Sequence, residues 1–249
     1  QYRVERGSVI VIDKTVTAAA CGAVNCSHTL TTVLDNAAHK WSVRAKAGTT
    51  WSDWSAYKYF TVTPPPTSFN SQFNGKSIGW AKLGAITWAV SPSCLFTAGT
   101  EYDYANVYHS TSIGYKNFEY EIRTKCTTTG FCENFIAFRM GKKINSVNNF
   151  WYPGYIYGYD SLGYRTFKLI KSDGSFGTSI KAFDSDILIG DWNTIKVIAD
   201  GNFLSFYING ELNTTVRDST HKIGAVGVMM HETGESLFKV DWAILTLLP

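Results

Sequence analysis

The chain has 249 residues, of which 45% are hydrophobic, 15% aromatic and only 17% charged, with a formal net charge of +3. The apolar share suffices for one large core, or for a large and a small one. The sparse charge offers no basic stripe for a phosphate backbone, which argues against a nucleic-acid partner, and no run of about 18 apolar residues is present to form a membrane-spanning helix.

The chain opens directly on strand-like sequence at Tyr2-Arg3-Val4, with no signal-peptide pattern. This is the expectation for a processed chain or for part of a longer protein. From Ser8 to Thr17 the residues Val9, Val11 and Asp13 alternate against Ile10, Ile12 and Lys14, a strand period. Cys21 and Cys26 then bracket a short loop, a further segment runs from Thr29 to Leu34, and strands are expected over Lys40–Ala45 and Ser55–Val62. Pro64-Pro65-Pro66 makes a stiff extended spacer, so residues 1–63 and 67–249 read as two modules.

In the second module turn signals recur, among them Asn74-Gly75, Asp173-Gly174, Asp200-Gly201 and Asn209-Gly210. Phe118–Arg123 and Leu204–Asn209 alternate cleanly between them, and no helical period of useful length appears. Many short strands with regular turns predict an all-β sandwich or jelly roll.

Five cysteines are present. Cys21–Cys26 and Cys126–Cys132 each close a short turn-rich loop and are expected as disulfides, each contributing at most about 2 kcal/mol because the loops are short. Zinc is the competing reading, but it needs the two pairs to meet and a suitably spaced His. Cys94 is expected to be a free thiol. Disulfides favour an oxidising compartment, so the expected location is extracellular or at the cell surface.

Trp41-Ser42-Val43-Arg44-Ala45, then Trp51-Ser52-Asp53-Trp54-Ser55, then Tyr59-Phe60-Thr61-Val62 resemble the second half of a fibronectin type III domain. In such an arrangement Trp51 and Trp54 stack with cationic side chains such as Arg44 and Lys46. A complete domain of this kind has seven strands in about 100 residues, so residues 1–63 look like a partial fibronectin type III-like domain lacking its first two strands. The open apolar face and sheet edge that this implies would be covered by upstream chain, or by strands of another chain through self-association.

Further along, Asp191-Trp192-Asn193-Thr194-Ile195 leads to Gly201–Gly210, Gly224–Val228 and the terminal Val240-Asp241-Trp242. With Tyr104–Tyr108, Phe118–Arg123, Phe135–Arg139 and Trp151–Tyr157, these motifs resemble the concanavalin A-like lectin/glucanase superfamily. They are similar above all to laminin-G-like domains, family 66 carbohydrate-binding modules and 3-keto-disaccharide hydrolase domains. The resemblance implies a jelly-roll β-sandwich over 67–249 and a sugar site to which Arg139 contributes. It also implies a structural calcium where first and last strands meet, near Asp241 and Asn70. Trp192 and Trp242 are expected in the core.

The glucanases of this superfamily carry Glu-x-Asp-x-x-Glu, which sets two carboxylates on one strand face, and this chain has no such run. Glu119 and Glu121 alternate with core-seeking residues and belong to the solvent face. Asp184 and Asp186 can flank a cleft. His109, His221 and His231 stand alone in the sequence. The binding candidate is aromatic: the odd positions Trp151, Tyr155, Tyr157 and Tyr159 share one face of an extended strand at about 6.6–6.8 Å spacing, comparable with one sugar unit. Arg139 and Arg165 lie on strands expected to flank it and can donate to hydroxyls. The expected function is an extracellular, non-catalytic carbohydrate-binding protein whose partner is a polysaccharide or glycan. The alternatives are a structural or adhesive subunit assembling by strand addition and a glycoside hydrolase-like enzyme.

Overall fold

A computed structural model of the chain describes residues 1–17, 30, 32, 34–35, 37–62, 67–98, 103–110, 114–126, 131–160, 166–172, 178–184, 190–233 and 237–249. The chain divides into two compact units, 1–64 and 65–249.

The first unit contains β1 (Tyr2–Arg6), β2 (Val9–Lys14), β3 (Ala38–Val43), β4 (Lys46–Ala47), β5 (Thr50–Trp51) and β6 (Lys58–Thr61). Four of these form an antiparallel sheet in the order β2-β1-β3-β6, and β4 pairs β5 separately. The expected stacking is present. The Arg44 guanidinium lies 4.5 Å from the Trp51 ring and 4.7 Å from that of Trp54, with Arg3 4.6 Å from Trp54 and Lys46 5.4 Å from Trp51. Each such contact is worth about 0.5–1 kcal/mol at an exposed site. Trp41 and Val43 are each 40% exposed. Together with Tyr2, Val4, Leu30 and Phe60 they line a cavity of about 1130 Å³.

The second unit is the jelly-roll sandwich that the strand pattern predicts. Its strands are β7 (Phe69–Gln72), β8 (Trp80–Leu83), β9 (Ala89–Val90), β10 (Leu95–Ala98), β11 (Tyr104–His109), β12 (Phe118–Cys126), β13 (Phe131–Met140), β14 (Lys143–Ile144), β15 (Trp151–Tyr152), β16 (Gly154–Asp160), β17 (Thr166–Ser172), β18 (Thr178–Asp184), β19 (Asn193–Asp200), β20 (Phe203–Ile208), β21 (Glu211–Arg217), β22 (Ala225–Thr233) and β23 (Leu237–Leu247). One sheet has the order β18-β17-β16-β13-β22-β11-β8. The other runs β21-β20-β19-β12-β23-β10-β9, with β7 added on β23, so the first and last strands of the unit do meet.

Strict alternation on β12 turns Phe118, Tyr120 and Ile122 inward, and all three are fully buried. They join Val197, Leu204 and Phe206 of the same sheet against Ile136, Phe138, Tyr157 and Val228 of the facing one. Each such side chain contributes about 1.5–3 kcal/mol by leaving water. The tight β20–β21 hairpin follows from Asn209 and Gly210, both at positive φ (48° and 85°), as a two-residue turn requires.

A second apolar cluster covers the outer face of the seven-stranded sheet. Phe135, Ala137, Ile156, Ala225 and Met229 lie beneath Phe150 and Trp151 of the segment 141–153. That segment is fastened by Asn106, whose amide donates to the carbonyls of Leu83, Tyr104 and Asn149. Gly227 makes the close approach possible: a Cβ there would lie 2.8 Å from the Trp151 ring. A sheet covered on both faces has near-continuous apolar strands, so alternation alone does not say which face is which.

Candidate functional site

The structure corrects the expected aromatic platform. Trp151, Tyr155 and Tyr157 are 0% exposed and Tyr159 3%, so none of these rings can stack on a sugar. Nor do they share a face. Pro153 and Gly154 (φ 154°) interrupt the strand between β15 and β16, leaving Trp151 in the outer cluster and the three tyrosines in the sandwich core. The Trp151 indole donates to the Gly141 carbonyl at 2.6 Å. The Tyr155 hydroxyl donates to Asp218 and accepts the His221 amide at 3.0 Å. Burial pushes the Tyr155 phenol up to about 12, reinforced by its bond to Asp218. Burial also works against the charge on Asp218, yet the bonds from Tyr155 and Thr220 and the nearby Lys171 outweigh it and hold that carboxyl at about 2.

Arg139 is likewise a strut and not a ligand. It is 1% exposed at φ 49°. Its guanidinium donates twice to the Lys116 carbonyl (3.1 and 2.7 Å), once to Gly201 (2.8 Å) and once to His221 (3.3 Å). All four donations go to backbone, which ties three loops together. Arg165 and Asp186 lie outside the described residues, and Asp184 closes β18.

The residues expected near a calcium each have a hydrogen-bond partner. The Asp241 carboxylate accepts a 2.6 Å bond from Arg123, and the Asn70 carbonyl oxygen accepts from Gln72. Among the described residues no three His, Cys, Asp or Glu gather as a metal site. Cys94 is free and buried. Of the expected disulfides, Cys21 and Cys26 lie outside the described residues, as does the side chain of Cys132. Glu119 and Glu121 sit on the outer face of their sheet as expected, Glu119 with Lys196 at 3.1 Å.

What the fold does assemble is a polar row across the outer face of the seven-stranded sheet, at the margin of the 141–153 cover, which reaches only its Tyr104 end. Strand register sets Tyr104 opposite His231, His231 opposite Glu133 and Glu133 opposite Asp160, so four neighbouring strands each contribute one residue at one level. The Tyr104 ring stacks on His231 with centroids 4.4 Å apart and packs edge-on against Phe150 at 4.9 Å. Glu133 Oε2 lies 3.2 Å from His231 Nδ1, and the two side chains keep 11% and 18% of their surface in solvent. Burial, and then the Glu133 charge, push the Tyr104 phenol well above its usual range. The row thus offers a carboxylate, an imidazole and a phenol ring in contact.

His231 and Glu133 are 98 residues apart (231 − 133), so His231 is not alone as its sequence context suggested. The available signal was Glu133-Asn134 inside the apolar run Phe131–Met140: polar residues in a strand covered on both faces need a reason to be there.

No protein-family model and no curated protein sequence matches the chain. Solved structures do. The carbohydrate-binding module CBM66 from Bacillus subtilis is 18% identical with a TM-score of 0.53, covering 66% of this chain and 92% of its own. The VIP36 exoplasmic/lumenal domain, in a form bound to calcium and mannose, is 10% identical with a TM-score of 0.56, over 73% and 89%. A Bacillus licheniformis β-glucanase is 14% identical with a TM-score of 0.54, over 74% and 100%. All three share one architecture, and this chain carries the same fold, the concanavalin A-like jelly roll.

Proposed function

We propose that the jelly-roll unit binds glycans, without cutting them, at the row Tyr104–His231–Glu133, and that it does so outside the cell. One observation carries the reading: on an outer sheet face largely covered by apolar side chains, an imidazole stands between a carboxylate and a phenol ring and touches each. Buried polar groups are costly unless used, and these suit a polyhydroxylated ligand. A carboxylate accepts from two hydroxyls, and an imidazole can donate or accept. The similarity in fold to a carbohydrate-binding module and to a lectin domain supports the same ligand class. The test is a glycan array followed by titration calorimetry on the 249-residue chain. Glu133→Gln, which keeps the shape and removes the charge, is expected to weaken binding at least tenfold while leaving the fold intact.

A hydrolase is the second reading, favoured by the register of Glu133 opposite Asp160. Release of reducing sugar from a polysaccharide that the protein binds, abolished by Glu133→Gln, would establish it in place of pure binding.

A further inference from the structure

Trp192 and Trp242 have no role in the site above, and contrary to expectation neither fills the core. Both are half-buried and both lie outside the two apolar clusters. On β23 the inward residues are Ala243 and Leu245, at 0% and 1% exposed, which turns Trp242 outward. On β19 Asn193 and Ile195 point inward, which turns Trp192, just ahead of the strand, outward as well. Between them on β12 stands Arg123, opposite Trp242 on one side and Thr194 on the other. Its guanidinium lies 5.1 Å from the Trp192 ring and donates to Asp241 at 2.6 Å. Gln72, exposed, sits opposite Trp242 on β7.

We infer that this stripe, Trp242–Arg123–Trp192, is a second glycan-binding surface, on the outer face of the eight-stranded sheet, fitted to a flat neutral polysaccharide. Two indoles separated by two strand spacings stand on the order of 10 Å apart, the reach of roughly two sugar units. A β-1,4-linked glucan keeps its hydroxyls equatorial and so presents flat C–H faces to such rings. Arg123, Asp241 and Gln72 supply donors and acceptors at the edge of the same stripe. Arg123 is paired with Asp241, and Lys125 with Asp191 at 3.8 Å, so these two cations are already partnered and the stripe suits a neutral ligand better than a polyanion. The observations are independent of those behind the row at Glu133, and the two surfaces lie on different sheets.

The experiment uses the whole chain and microcrystalline β-1,4-glucan. Adsorption isotherms are measured for the wild type, for W192A/W242A and for the control Ile78→Ala, with Tm recorded for each. The inference expects the double variant to adsorb at least tenfold more weakly, with Tm shifted by no more than a few degrees, and Ile78→Ala, at an exposed residue outside both surfaces, to adsorb as the wild type does. On the wild type, oxidation of Trp192 and Trp242 by N-bromosuccinimide, read by peptide mass spectrometry, is expected to fall when the glucan is present. Adsorption unchanged in the double variant, absence of wild-type adsorption, or indole oxidation unaffected by the glucan overturns it. If the double variant unfolds, the oxidation result decides.

Discussion

Replacing Arg139 separates a structural from a ligand-binding role most sharply. Its guanidinium satisfies three carbonyls through four bonds. Hydrogen bonds from a charged donor are worth about 1.5–3 kcal/mol each. Lys116 and Gly201 are exposed residues that water can reach once the side chain is gone, so Arg139→Ala is expected to cost about 3–4 kcal/mol and not the full sum. In a unit of this size that lowers Tm by roughly 10 °C. The backbone adds an internal control. At φ 49° a side chain is strained and glycine is not, so Arg139→Gly is expected to be more stable than Arg139→Ala by about 1 kcal/mol, the reverse of the usual order. Urea unfolding followed by calorimetry gives both numbers. A change below 1 kcal/mol accompanied by lost glycan binding would refute the strut and restore Arg139 as a ligand.

Three other outcomes are expected. Tyr155→Phe removes the donation to Asp218 and the acceptor for the His221 amide, costing about 1–2 kcal/mol in urea unfolding and letting the Asp218 pKa rise from about 2 towards its ordinary value. His109 is 5% exposed and burial lowers its pKa to about 4. Because the unfolded chain takes up that proton first, near pH 6.5, the contribution of neutral His109 is complete above about pH 6.5. It drains as pH falls to about 4, by up to roughly 3 kcal/mol, and His109→Gln should flatten that limb of the stability curve. Non-reducing peptide mapping should find Cys21 bonded to Cys26 and Cys126 to Cys132, with Cys94 free; Cys94 in a bond would contradict this.

How far the sequence could be read depended on how many faces of a strand were covered. Phe118–Arg123, covered on one face, alternates in sequence and in burial alike, which made both the strand and the solvent-facing Glu119 and Glu121 legible. Trp51 and Trp54 announced their cationic partners because stacking needs only local chain. The run Trp151–Tyr159 defeated the same logic. Its sheet is covered on both faces, and the break at Pro153-Gly154 moves Trp151 to the opposite side from Tyr155. Arg139 looked like a ligand because nothing in a sequence reports that three distant carbonyls will converge on one guanidinium. Glu133 and His231 escaped notice for the complementary reason: only the pairing of β13 with β22 makes neighbours of them.

The central claim, that Glu133, His231 and Tyr104 form a glycan site, is tested most directly by calorimetric titration of the strongest glycan-array ligand into the wild type, Glu133→Gln and His231→Ala. The account predicts saturable one-site binding by the wild type, weakened at least tenfold in each variant, with melting temperatures held within a few degrees. Wild-type affinity retained in both variants, or no glycan bound by the wild type, would contradict it.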